Sequence, residues 1–206
     1  MIKYSFKILG LSLALLVSIL SCSTKETSLN KKPKQNYFEK TNVEYKGKQY
    51  NTFHNGKEGY EILIPQNWLY KNNKNTALTM YTEKVNDIDF VESLDVISKP
   101  AAFKQQNEGL VKSNKVDLNS FYTSHLINLN KNNSLKVLSE GEEVINNNDA
   151  KWVLLKSSNA GEKLHLLKYF MASKERVYII TGTCKAFDYA VYGPQFNSII
   201  SSFKLL

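Results

Sequence analysis

Three consecutive segments near the end of the chain are apolar on both faces of a β-strand. They read "AKWVLLKSS" at 150–158, "KLHLLKYFMA" at 163–172 and "RVYIITGTC" at 176–184. A strand with one wet face carries a polar residue at every second position, whereas a strand that is covered on both faces does not. Short polar turns separate the segments, which favours antiparallel hairpins. The sequence therefore predicts a sheet with other elements packed on both sides.

Two amphipathic helices are available to cover this sheet. The first has apolar residues at helical spacing after Asp117, a suitable N-cap: Leu118, Phe121, Tyr122, His125, Leu126 and Leu129. The second lies at the C-terminus, where the same spacing is kept by Tyr189, Tyr192, Phe196, Ile199, Ile200 and Phe203. Pro194 suits a first helical turn, so 187–192 is expected to form a separate short turn. The fold class that follows is α+β, a three-layer α/β/α sandwich with a central, mainly antiparallel sheet.

Further strands are predicted before the first helix. "KQYNTFH" and "GYEILIP" flank Asn55-Gly56, a dipeptide that is typical of hairpin turns because both residues tolerate positive φ. "ALTMYTEK" at 77–84 and "SLDVIS" at 93–98 indicate two more strands. Residues 99–117 lack a sustained period. A loop of this length is either a tolerated surface insertion or a mobile, functional segment.

The N-terminus has the layout of a secretory signal. Lys3 and Lys7 precede an apolar run at 8–20, which is too short to span a bilayer comfortably. The run ends in Ile19-Leu20-Ser21-Cys22, which resembles a bacterial lipobox. The resemblance implies cleavage between Ser21 and Cys22, a diacylglyceryl thioether on the Cys22 sulfur, and further fatty acid such as palmitate on the new amine. The alternative is an ordinary signal with a chance cysteine.

These features divide the chain into a signal peptide at 1–21, a lipid anchor and flexible tether at 22–44, and a folded domain at 45–206. The tether is rich in Ser, Thr, Lys and Asn. The expected location is a bacterial cell envelope, with the membrane as partner through the anchor. Ser23 favours the outer membrane over the inner membrane. Loss of the signal lowers the formal net charge from +8 to +6, yet no basic helix or aromatic-basic ribbon indicates nucleic acid.

No catalytic or cofactor motif is found in the sequence. Cys184 has no intrachain partner if Cys22 carries lipid, and it ends an apolar strand, so we expect it to be buried. His125 is expected to be a packed core histidine. Asp87 and Asp89 lack the dense oxygen ligands of a calcium loop. No metal site and no cofactor are predicted.

Three functions remain open. The first is a non-enzymatic binding or assembly factor, whose unknown envelope partner would meet the 99–117 loop or an exposed sheet edge. The third possibility, after the enzyme described next, is a purely structural or immunity-type lipoprotein encoded beside its partner. The second is a small hydrolase or ligand-binding enzyme with a site built from distant segments: His54, His165 and the acids Glu140, Glu142 and Glu143. Three acids in an exposed strand are more often a solvated face.

The order of these segments resembles the PsbP-like domains, relatives of the extrinsic photosystem II subunit and of DcrB-type bacterial envelope proteins. The segments that carry the resemblance are "YEILIPQNW", the helix after Asp117, "VLSEGEEVINNNDAKWVLLKSS", "KLHLLKYFMASKERVYIITGTC" and "FDYAVYGPQFNSIISSFKLL". The resemblance implies an α/β/α sandwich and a binding or assembly role rather than catalysis. No metal ligand or partner-contact residue of the family maps onto this chain.

Overall fold

Strands make up most of the structure, a computed structural model that describes residues 36–72, 78–83, 90–101, 116–131, 134–159 and 162–206. In chain order the elements are β1 (Asn36–Tyr45), β2 (Lys48–Asn55), β3 (Tyr60–Pro65), β4 (Trp68–Lys71), β5 (Leu78–Thr82), β6 (Ser93–Pro100), α1 (Leu118–Asn130), β7 (Leu135–Ile145), β8 (Asn148–Asn159), β9 (Glu162–Ala172), β10 (Arg176–Lys185), α2 (Tyr189–Ser201) and β11 (Lys204–Leu205). A 3₁₀ turn, Ala186–Asp188, leads into α2. The α+β class is confirmed.

The strands form two sheets, whereas the sequence indicated only the central one. The large sheet has the order β4-β5-β6-β10-β9-β8-β7, and the small sheet has the order β1-β2-β3-β11. The pairings in both are antiparallel. Strand β11 forms one edge of the small sheet by pairing with β3, which joins residues far apart in sequence. Local periodicity carries no information about that pairing.

Helix α1 covers one face of the large sheet. Its apolar side packs on Val153, Phe170 and Ile179, which are almost fully buried. The rings of Tyr122 and Phe170 meet edge to face, with centroids 5.2 Å apart. Because side chains alternate between faces along a strand, the neighbours of Phe170 point the other way.

The opposite face of the large sheet packs against α2 and the small sheet together. One apolar cluster joins Ile180 of β10, Ile62 of β3 and Phe196 of α2. Tyr60 stacks on Phe203 with ring centroids 5.1 Å apart, which ties β3 to the chain just after α2. Both faces of the central strands are therefore dry, as the apolar segments predicted.

Helix α2 is continuous through Pro194, so the separate turn predicted for 187–192 is corrected to a 3₁₀ turn followed by one helix. A proline inside a helix removes a hydrogen bond and crowds the residue before it. That residue is Gly193, which has no Cβ. The buried face formed by Phe196, Ile199 and Ile200 supplies the packing that propensity alone would not provide.

The left-handed turn residues differ from those predicted. Asn55 ends β2, and its side-chain oxygen accepts a 2.9 Å hydrogen bond from the backbone N–H of Glu58, while Gly59 takes the positive φ of 73°. The two-residue turns with φ positive at both positions are Lys46-Gly47 and Asn146-Asn147. They join β1 to β2 and β7 to β8, as the right-handed twist of a hairpin favours.

Strand β1 lies largely inside the segment predicted to be a tether. It pairs with β2 from Asn36 to Tyr45, with a register shift between Glu39 and Val43. The signal peptide, Ser21, Cys22 and the first part of the tether lie outside the described residues. The three-part division of the chain therefore stays a prediction, with ordered strand beginning at Asn36.

Candidate functional site: an acidic cleft beside an edge strand

A cleft of about 650 Å³ lies between the start of α1 and the β7–β8 hairpin. The residues around it come from three places in the chain. They are Val116, Asp117, Leu118, Asn119, Glu142, Glu143, Val144, Asp149, Ala150 and Lys151.

Asp117 fixes the helical side of the cleft. Its carboxylate accepts hydrogen bonds from the backbone N–H of Asn119, at 3.0 Å, and from the hydroxyl of Ser120. This is the N-cap that the sequence predicted. The hydrogen bond from Ser120 lowers the pKa of Asp117 below its usual value. The carboxylate is therefore charged at neutral pH.

Two side-chain pairs fix the sheet side. The Tyr122 hydroxyl donates a 2.6 Å hydrogen bond to Glu140 on β7, which anchors α1 to the edge of the sheet. Lys151 on β8 forms an ion pair with Glu142, its cross-strand partner, and its ammonium lies 5.4 Å from the centre of the Tyr122 ring. Burial raises the pKa of Tyr122, and the hydrogen bond to Glu140 raises it further. The phenol therefore stays neutral and acts as a donor.

The cleft is acidic although the whole chain is basic. Among the described residues that line it, Asp117, Glu142, Glu143 and Asp149 are acidic, and the cation is Lys151, which pairs with Glu142. The chain as a whole carries a formal net charge of +8. A local field of opposite sign to the rest of the protein attracts cationic groups.

Within the described part of the chain, the cleft borders an edge of the large sheet. Strand β7 is the last strand of the large sheet and pairs with β8 on one side only. Its bulge lies between Val137 and Ser139, and Leu138 is 43% exposed there. Beyond the bulge Val144 is 67% exposed, at the rim of the cleft. Edge strands of this kind can accept another strand.

The residues of the predicted hydrolase site are not brought together. Glu140, Glu142 and Glu143 lie on β7 and are exposed, as expected for a solvated face. His165 on β9 is in register with Lys156, whereas Glu142 is in register with Lys151. Five residues of strand separate those rows, or roughly 17 Å.

The three histidines lie in separate environments. His54, in the small sheet, lies between Glu61 at 2.8 Å and Glu39 at 3.5 Å. His125 packs on Phe170 with ring centroids 4.9 Å apart, as predicted for a core histidine. His165 lies on the other face of the large sheet, with its ring 5.0 Å from that of Tyr189.

Burial determines the protonation states of His125, His165 and Cys184. It lowers the pKa of His125 to about 4, with a contribution from nearby Lys168. It also lowers the pKa of His165, and Lys156 adds to the effect. Cys184 is fully buried, which raises the pKa of its thiol to about 12. The predicted burial of Cys184 is confirmed, and its thiol is not a nucleophile at neutral pH.

Sequence reasoning missed the cleft residues on β8 and one polar row on the sheet. Asp149 and Lys151 read as ordinary turn and strand residues. The opposite charges of Glu142 and Lys151, on the two strands of one predicted hairpin, are the signal that could have indicated the ion pair. Lys168 donates a 3.0 Å hydrogen bond to Thr181, and burial lowers its pKa. Asp95, in register with Thr181, partly offsets that shift.

Several predicted features lie outside the described residues. Asp87 and Asp89 are among them, as is most of the 99–117 loop, of which 102–115 is not described. Within the described ranges no group of three or more histidine, cysteine or acidic side chains could hold a metal ion. Neither helix in that part of the chain is long and apolar enough to cross a bilayer.

Comparison with known families decides the assignment. The family model of PsbP matches residues 48–205, from the first residue of β2 to the last residue of β11. The chain belongs to the PsbP family. The resemblance that the sequence showed is thereby confirmed. Comparison with curated proteins finds no significant match.

Solved structures of two bacterial proteins share this PsbP fold. The solution structure of cyanobacterial PsbP, CyanoP, from Synechocystis is similar with a TM-score of 0.54 and 12% identity, covering 76% of this chain and 92% of that one. The crystal structure of LpqN, involved in cell envelope biogenesis of Mycobacterium tuberculosis, gives a TM-score of 0.57 and 10% identity, covering 76% and 90%. At these identities the likeness concerns the fold.

Proposed function

We propose that this PsbP-family chain is a lipid-anchored protein of the bacterial cell envelope that binds or assembles other components and catalyses no reaction. The observation that carries the proposal is the family match, which covers nearly the whole folded domain. PsbP-like proteins act mainly through binding. The fold shared with LpqN, whose description concerns cell envelope biogenesis, supports an envelope role.

The anchor in this proposal is Cys22. The signal-like 1–21 segment would be removed at Ser21-Cys22, and the acylated cysteine would hold the domain at the membrane through the rest of the 22–44 segment. Two or more acyl chains give stable membrane binding, whereas one gives only marginal binding. Ser23 favours the outer membrane in a cell that has one.

The partner surface we propose is the acidic cleft with the neighbouring edge of β7. Its charge suits a cationic segment, and its free strand edge suits an extended one. Val144 offers an exposed apolar contact between the two. No observation on the described residues favours the hydrolase alternative.

We also infer that the domain is a three-layer sandwich in a modified form. The contacts of α1 with Phe170 and of α2 with Ile180, which point to opposite faces of the large sheet, support this description. The small sheet shares the α2 layer, which the sequence did not predict.

Site-specific photo-crosslinking in the native envelope tests the proposed surface. A photoreactive residue replaces Val144 on β7, and a matched control replaces Leu69 on β4, the other edge of the large sheet, which is 47% exposed. We expect a discrete protein adduct from position 144 that position 69 does not give. Charge reversal by Glu143→Lys and Asp149→Lys should weaken that adduct, because the partner segment is cationic.

Equal adducts from both positions would contradict the cleft as the binding surface. Adducts from position 69 alone would move the surface to the other edge. Turnover of an envelope substrate by the purified chain, lost on substitution of His54 or His165, would overturn the non-enzymatic proposal.

A further inference from the structure

An apolar stripe runs from the 3₁₀ turn before α2 onto the outward side of the first half of that helix. Its members, spaced at i, i+3, i+4 and i+7 and all exposed, are Phe187, Ala190, Val191 and Pro194. Phe187 is 78% exposed and Val191 is 59% exposed. The outward face of a surface helix is ordinarily polar. Here the polar residues return only in the second half of the helix, with Asn197 and Ser198.

The stripe is not part of the folded core. The opposite side of α2 buries Phe196, Ile199 and Ile200 against the large and small sheets. The helix is therefore already held by one apolar face. A second apolar face, with an aromatic ring at its tip, is available for contact with a surface outside the domain.

Lysines surround the start of this stripe. Lys185 holds its ammonium 5.9 Å from the centre of the Phe187 ring. Lys156 and Lys163 share a sheet face with His165, because Lys156 is its cross-strand partner and Lys163 is two residues away on the same strand.

That face is the α2 side, since the His165 ring contacts Tyr189 at the first residue of the helix. Lys136 joins the group through its pairing with Lys156. Two acids lie at the same end of the helix, Asp188 in the turn and Glu92, and both act on the nearby Tyr192. Among the described residues the four lysines outnumber these two acids, so the tip combines apolar side chains with net positive charge.

We propose that this stripe docks on the surface of an anionic bilayer, with Phe187 and Val191 in the interface and the lysines at lipid headgroups. The proposal rests on the lipid anchor proposed above, which keeps the domain beside a membrane. Aromatic side chains favour the interface, and lysines are attracted to anionic lipid. A weak contact suffices, because the anchor makes docking intramolecular.

The size of the stripe argues against a protein occupant. Four side chains offer far less than the roughly 800 Å² per partner that a stable protein interface buries. A second copy of the chain would therefore need contacts beyond the stripe. A bilayer has no such requirement.

Tryptophan quenching in vesicles tests the docking. The lipidated full chain carries Phe187→Trp. The matched control carries Ile127→Trp on α1, where Ile127 is also exposed, at 54%, on the other side of the large sheet. The signal of the native tryptophans, Trp68 and Trp152, is subtracted using the unsubstituted chain. Vesicles contain phosphatidylcholine and phosphatidylglycerol, with brominated lipid as quencher.

We expect a blue shift and loss of fluorescence at position 187 and no change at position 127. The double substitution Lys156→Gln/Lys163→Gln should reduce the quenching, whereas Lys99→Gln, on the α1 side, should not. Quenching that is equal at 187 and 127, or absent at 187, overturns the proposal. A blue shift at 187 that needs no vesicles and grows with protein concentration overturns it in favour of a second copy.

Flotation of the same samples separates this proposal from the anchor. A chain that floats with the vesicles without quenching at 187 is anchored but not docked. A chain that does not float is neither anchored nor docked, which overturns both proposals.

Discussion

Gly182 lies where the large sheet meets α2, and its substitution tests that packing directly. A Cβ built on Gly182 would lie 2.6 Å from Cγ and 2.7 Å from Cδ2 of the Phe196 ring. Phe196 is fully buried and cannot move aside freely. Gly182→Ala is therefore expected to overpack this part of the core.

The expected cost follows from two opposing terms. Overpacking a core by a methyl group costs about 1–3 kcal/mol. Replacing glycine by alanine inside a strand stabilises the folded state by about 0.5–1 kcal/mol, because alanine loses less conformational entropy on folding. The net expectation is a loss of about 1–2 kcal/mol in the free energy of unfolding, or about 2–8 °C in Tm for a domain of this size.

Urea unfolding followed by tryptophan fluorescence measures this loss. Trp68 packs edge-on to Phe196 with ring centroids 6.2 Å apart, so it reports on the same contact. Phe196→Leu provides the control, because a smaller side chain makes room for the new methyl group. We expect the loss of unfolding free energy caused by Gly182→Ala to be smaller by at least about 1 kcal/mol in the Phe196→Leu chain than in the wild type. Gly182→Ala that is neutral or stabilising, with no coupling to Phe196, would refute the packing.

Three further predictions concern buried groups and the helix cap. Burial lowers the pKa of His125 to about 4, from about 6.5 in the unfolded chain, so the unfolded state binds the proton first as pH falls. The free energy of unfolding should therefore decrease by about 2–3 kcal/mol between pH 6.5 and 4. His125→Phe should remove this dependence in unfolding curves measured across that range, with Lys168 and Lys99 left in place. Cys184 should resist thiol reagents in the native state and react only after unfolding; native reactivity would contradict its burial. Asp117→Ala should lower the midpoint of urea unfolding, with Asp117→Ser close to the wild type, and equal losses in both would argue against the cap.

Elements with a strong local signal were predictable from the sequence. Helix α1 begins after Asp117 because one side chain caps it and its apolar residues keep one period. The strands after α1 follow from apolar runs separated by turn residues. The acids of β7 were correctly expected to be exposed.

Features that depend on distant pairing were not predictable. Strand β11 joins the small sheet by pairing with β3, and β1 reaches back into the segment that composition marked as a tether. The cleft depends on how the start of α1 lies beside Lys151 and Glu143. No local pattern records that arrangement, since its residues come from three separate segments.

Mass spectrometry of the protein isolated from its native membrane tests the central claim most directly, because the envelope anchor and the membrane docking both depend on attachment at Cys22. The account predicts a chain that begins at Cys22 and carries the mass of a diacylglyceryl group, with or without an N-acyl chain, and a Cys22→Ser chain without lipid that leaves the membrane fraction. A mature chain with an unmodified Cys22, or one cleaved elsewhere, would contradict it.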